Sequence, residues 1–128
     1  MWSTSFVMKS DRKLLAVAAL CGAISVAISA FAAHGAGLQQ AQWLATGGHY
    51  LLVHSVLGVA LALWPQSGAL GRVAGWLAVC GGIVFCAALS LLAFTGVRIM
   101  GAVAPVGGSL MIIGWLLLAV RAVRGTPS

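Results

Sequence analysis

The stretch VAGWLAVCGGIVFCAALSLLAF, Val73 to Phe94, decides the fold, because it contains no charged residue and exceeds the ~20 residues that carry a helix across hydrocarbon. Three further apolar runs lie at residues 14–33, 48–64 and 106–123. The run at 48–64 is short, and the deficit disappears if its helix begins near Leu38 or Gln42 with its start among the headgroups. All of these runs are continuously apolar, which excludes barrel strands, where apolar and polar residues alternate. The composition agrees: 62% hydrophobic and 6% charged, with a mean hydropathy of +1.09, against about a quarter charged in soluble proteins. The expectation is a single domain over residues 1–128, an all-α membrane protein. Its four transmembrane helices form an antiparallel bundle, with a short interfacial helix between the first and second.

Asp11 is the only acidic residue. General acid/base pairs, hard-cation sites and intramembrane proton relays lean on carboxylates, so none of these is expected within the spans. Six of the seven basic residues, Lys9, Arg12, Lys13, Arg72, Arg121 and Arg124, fall on one side and Arg98 on the other. Lysine and arginine near span ends are retained in the cytoplasm. Both termini are therefore expected there, with these six residues contacting anionic lipid headgroups. A nucleic-acid reader would carry a denser basic patch on a soluble element. Lys9, Arg12 and Lys13 ahead of an apolar run, followed by Ala30-Phe31-Ala32, imitate a secretory signal, but the run is long for a signal core and is expected to stay as the first span.

Close packing through small residues supplies much of the attraction between membrane helices. Ala18, Gly22, Ser25, Ser29 and Ala33 form one stripe, and Gly71, Gly75, Ala78, Gly82 and Cys86 another. Gly58 continues a spacing that starts at Tyr50 and His54. Pro105 suits a first helical turn, with Gly107, Gly108 and Gly114 beyond it. Leucine is expected to be least tolerated at Gly82 and Gly108. Between the first two spans, Leu38, Ala41 and Leu44 share one face opposite the glutamines, which reads as the interfacial helix, with Trp43 at headgroup level. Trp2, Trp64 and Trp76 make the opposite belt, and Trp115 reads as core. Cys21, Cys80 and Cys86 lie inside spans and read as small buried hydrophobes.

Several of these segments together form a pattern: Ala30-Phe31-Ala32-Ala33-His34-Gly35, Trp43-Leu44-Ala45-Thr46-Gly47, Tyr50 with His54, Phe85-Cys86-Ala87-Ala88-Leu89-Ser90, and Ala104-Pro105-Val106-Gly107-Gly108 with Gly114-Trp115. In that order they resemble the YgdD-like family of small uncharacterised inner-membrane proteins, relatives of transmembrane protein 256. The resemblance covers nearly the whole chain and implies a four-span architecture in the inner membrane. It implies no activity.

The polar residues with most chemistry to offer are His34, His49, Tyr50 and His54. An antiparallel first pair brings His34 towards Tyr50 and His54, which share a helix face at i, i+4. His49 and His54 are five apart and diverge. Haem b would need two imidazoles on facing helices beside a glycine-lined slot, and a quinone would take hydrogen bonds from His54 and Tyr50. A structural role, with the imidazoles bonded to carbonyls or water, competes with both. Ser25, Ser29, Ser55 and Ser90 lack a carboxylate to orient a histidine, and no metal site or catalytic residue is expected. The expected function is a non-enzymatic packing or accessory subunit, associating with itself or with another membrane protein. A haem- or quinone-binding redox helper is the alternative, and a small oligomeric transporter or channel the second.

Overall fold

The structure, a computed structural model, describes residues 11–125; Trp2 and Lys9 lie outside them. The described chain folds as α1 (Arg12–His34), α2 (Leu38–Ala62), a 3-10 turn (Pro65–Ser67), α3 (Gly68–Thr95) and α4 (Met100–Arg124), with no strand among the described residues. All four helices are long and apolar enough to cross a membrane. At 1.5 Å per residue they extend roughly 35–42 Å, beyond the ~30 Å hydrocarbon layer. The protein is an integral membrane protein with four helical spans.

Local chemistry sets the helix ends. The Asp11 carboxylate accepts from the Leu14 N–H at 3.1 Å and caps α1, satisfying one of its orphan donors. Gln40 accepts from Gly37 N–H at 3.3 Å and donates to the Ala93 carbonyl at 3.0 Å, joining the start of α2 to the end of α3. Gly68 and Gly96 adopt φ of 70° and 69° where α3 begins and ends, a region that side chains disfavour.

Two boundaries differ from the sequence reading. No separate interfacial helix lies between the first two spans; Leu38 to Ala62 is one continuous helix. Gly47 and Gly48 resemble a break in the sequence but keep helical geometry, because each faces a neighbouring helix. A Cβ on Gly47 would meet Cys86 Cα at 3.2 Å, and one on Gly48 would meet Ser29 Oγ at 2.6 Å. The last helix starts at Met100, so Pro105 lies inside it and not in its first turn.

The main contacts run in chain order: α1 on α2, α2 on α3, α3 on α4, with α1 also touching α3. Leu14, Ala18, Cys21, Leu51, Val79 and Cys86 form the central core. Small residues permit these approaches. At Gly58 a Cβ would strike the Val79 side chain and reach Ala18 Cβ at 3.1 Å, and at Gly75 it would meet Leu14 Cδ2 at 2.7 Å. Ser25 is fully buried, its hydroxyl donating to the Gly22 carbonyl at 2.7 Å, while a Cβ on Gly22 would meet only Ser55 Cβ, at 3.9 Å. Between α3 and α4 the backbones touch. A Cβ on Gly107 would meet Phe85 N at 2.5 Å and Gly81 O at 2.6 Å, one on Gly81 would meet Gly107 O at 2.7 Å, and one on Gly114 would meet Ala74 O at 3.0 Å. A Cβ on Gly82 would sit at ordinary contact, 3.4 Å from Leu51 Cδ1. At Gly108, expected to be a tight contact, an added Cβ would meet nothing within 4 Å. Gly108 lies about 100° further round the helix than Gly107.

Candidate functional site

Packed along α3, α4 leaves an opening towards α2. Thr46, Tyr50 and His54 of α2 line one wall, Phe85 of α3 lies between, and Gly108, Met111, Ile112 and Trp115 of α4 line the other. The opening holds about 460 Å³. His54 and Trp115 bridge it. The indole N–H of Trp115 donates to His54 Nε2 at 2.9 Å. An indole can only donate, so Nε2 is the acceptor and the imidazole proton is on Nδ1, 2.6 Å from the Tyr50 carbonyl that it bonds. His54 is thus a neutral imidazole with both nitrogens in use, and it is 4% exposed.

Tyr50 stacks on His54 with ring centroids 6.2 Å apart and meets Phe85 edge-on at 5.2 Å. His49 is exposed and contacts only the edge of this group, T-shaped on Tyr50 at 5.6 Å. His34 is exposed in the last turn of α1 and takes no part in these ring contacts. The structure therefore joins Tyr50 and His54 and leaves His34 and His49 outside. Tyr50 and His54 lie roughly 18 and 24 Å along α2 from Leu38, so Tyr50 is a mid-span residue and not part of a headgroup belt. Trp115, expected in the core, is 44% exposed on the wall of the opening. One signal could have placed it: an indole N–H deep in a bilayer needs an acceptor, and His54 is the imidazole carried deep in a span. Thr46, Phe85, Met111 and Ile112 carry no chemical signal of their own and are found only through the fold.

Two nearby aliphatic hydroxyls are committed. Ser55 donates to Leu51 O at 2.6 Å and Thr46 to Gln42 O at 2.9 Å, so neither has its proton free for a histidine. No group of three or more His, Cys, Asp or Glu side chains converges as a metal site among the described residues. Cys80, read as buried, is exposed, while Cys21 and Cys86 are buried.

At the end carrying the termini, two charged residues have structural work. Asp11 accepts from the Trp76 indole at 3.1 Å and lies 3.9 Å from Arg72 Nε. Arg121, expected at headgroups, is 6% exposed. Its Nε donates to Ser67 O at 3.0 Å, one terminal nitrogen to Gln66 O at 2.8 Å and the other to Gly125 O, with the guanidinium 5.5 Å from the centre of the Trp64 ring. Arg12, Lys13, Arg72, Arg98 and Arg124 remain exposed.

The family model described as "Protein of unknown function (DUF423)" matches residues 28–108, more than half of the chain. The chain belongs to the DUF423 family. Its relatives include a UPF0382 membrane protein of Haemophilus influenzae, 38% identical over 114 residues, which cover 84% of this chain and 90% of the relative. The UPF0382 membrane protein YwdK of Bacillus subtilis is 35% identical over 108 residues, 79% of this chain and 88% of YwdK. The UPF0382 inner membrane protein YgdD of Escherichia coli K12 is 32% identical over 121 residues, 90% of this chain and 92% of YgdD. These matches bear out the YgdD-like resemblance. No solved structure is a significant match. The DUF423 segment holds Thr46, Tyr50, His54, Phe85 and Gly108 of the opening, while Trp115 lies beyond it.

Proposed function

We propose that this DUF423 protein is a non-enzymatic packing subunit of the inner membrane, and that the opening between α2 and α4 receives an apolar transmembrane helix, from another membrane protein or from a second copy. The observation that carries this reading is the bare backbone at Gly108, with no atom within 4 Å of a Cβ there, in a predominantly apolar opening. Small residues admit a second backbone and strengthen its packing. The commitment of His54 and Asp11 to structural bonds points the same way. His54 has both nitrogens bonded, and the one carboxylate side chain is tied up at the far end of the bundle. With six of seven basic residues on the terminal side, both termini face the cytoplasm, where that side meets anionic headgroups.

A quinone-like ligand is the second reading, favoured by the position of the opening beside the half-exposed Tyr50. Haem b has less support, since an axial bond to His54 Nε2 would have to displace Trp115. A transport pathway has least, because an ion route needs a polar lining.

Gly108→Leu tests the proposal. The added Cβ meets nothing within 4 Å and the side chain extends from a residue that lines the opening, so the fold is expected to persist while the opening is filled. On native gels in mild detergent the wild type is expected to migrate as an assembly larger than one chain and the variant as a single chain. A wild type that runs as one chain, or a variant that stays assembled, overturns the proposal. Loss of a co-purifying quinone with unchanged mobility selects the second reading.

A further inference from the structure

We infer that Arg121 and Arg124 form a phosphate-binding site whose ligand is the headgroup of an anionic phospholipid. The two residues line a cavity of about 330 Å³ at the terminal end, together with Ser67, Ala69 and Leu70 at the start of α3. Charge accounting leads to the site. The chain has one acidic side chain, Asp11, and it serves Leu14, Trp76 and Arg72. Arg121 therefore holds a charge, 6% exposed, with no side-chain counter-anion, an arrangement that is strongly unfavourable unless something pairs it. Its bonds to the carbonyls of Ser67, Gln66 and Gly125 leave part of the guanidinium donor fork unused. Planar guanidinium forks match phosphate oxygens.

Arg124, three residues on, shares the helix face and is exposed at the cavity. The first turn of α3, which has no side-chain cap, adds N–H dipoles of the same sign. A lipid is favoured over a soluble anion because the site lies where a span ends, and Val120 and Val123, each one position before an arginine in the chain and exposed at 46% and 87%, offer apolar surface for acyl chains.

Native mass spectrometry of the full chain in neutral detergent tests the inference, using phosphatidylglycerol, phosphatidylcholine and inorganic phosphate as probes. One phosphatidylglycerol per chain is expected to survive gentle activation, bound about tenfold more tightly than phosphatidylcholine. Arg124→Gln should lower phosphatidylglycerol occupancy by a similar factor, while Arg98→Gln, an equal change of charge at the other end, should leave it unchanged. Among the described residues Arg124 makes no side-chain hydrogen bond, so this variant stays informative if Arg121 variants fail to fold. Displacement by millimolar inorganic phosphate would support the site and assign recognition to the phosphate group; resistance to it would assign recognition to the whole lipid. Equal binding of both lipids, or equal loss in the Arg124 and Arg98 variants, overturns the inference.

Discussion

Arg121→Met is expected to destabilise the protein by about 3 kcal/mol, since hydrogen bonds to a charged group contribute roughly 1.5–3 kcal/mol each and water at the bundle end replaces part of what is lost. The wild-type guanidinium ties together the 3-10 turn through Gln66 and Ser67, the α4 terminus through Gly125, and Trp64 beneath its face. Methionine keeps most of the apolar stem and removes only the head, so the loss reports the bonds and not the packing. Arg121→Lys should fall between the two, because an ammonium keeps the charge but not the planar fork. Melting followed with a thiol-reactive dye reads the effect directly, with the buried Cys21 and Cys86 as reporters. A methionine variant that melts with the wild type would mean that Arg121 is a dispensable rim residue.

Gly107→Ala should be as damaging. The added Cβ would lie 2.5 Å from Phe85 N and 2.6 Å from Gly81 O. Both are backbone atoms in the middle of a helix, so no rotamer change relieves the clash and α3 and α4 must separate. Overpacking typically costs ~1–3 kcal/mol, and with no flexible side chain to yield, the upper end is expected. The neighbouring Gly108→Ala meets nothing within 4 Å and should match the wild type or slightly exceed it, because alanine is the better helix residue. The same melting assay on the two single variants checks the pair, and equal tolerance would place the α3–α4 contact on another face of α4.

This pair also shows where sequence reading stops. Hydropathy and length identified the four spans because nothing else tolerates such runs, and the short connections between them predicted the pairing order. The rotation of each helix about its axis was not legible. A soluble helix displays its buried face as an apolar stripe, but helices that are apolar all round carry no such mark, so Gly107 and Gly108 read alike although one touches α3 and the other is bare. Gly47 and Gly48 illustrate the same ambiguity: a glycine pair can be a break or a close contact, and only the positions of Cys86 and Ser29 decide which. For a related reason, Arg121 gave no sign in the sequence of its burial. Its partners are backbone carbonyls, which every residue has and no sequence marks. Within the His/Tyr group, the i, i+4 spacing joined Tyr50 to His54 correctly, but the partner that fixes His54 comes from α4, and helix order alone does not put Trp115 opposite it.

The non-enzymatic part of the functional reading depends on His54 being a structural imidazole, and histidine-selective nitrogen NMR of the protein in lipid tests that most directly. The structure predicts a neutral His54 with Nδ1 protonated and Nε2 unprotonated but hydrogen-bonded, and an Nε2 signal that moves in Trp115→Phe, where the indole donor is gone. A proton on Nε2, an imidazolium, or a spectrum indifferent to Trp115→Phe would contradict the account and return His54 to the residues free for chemistry.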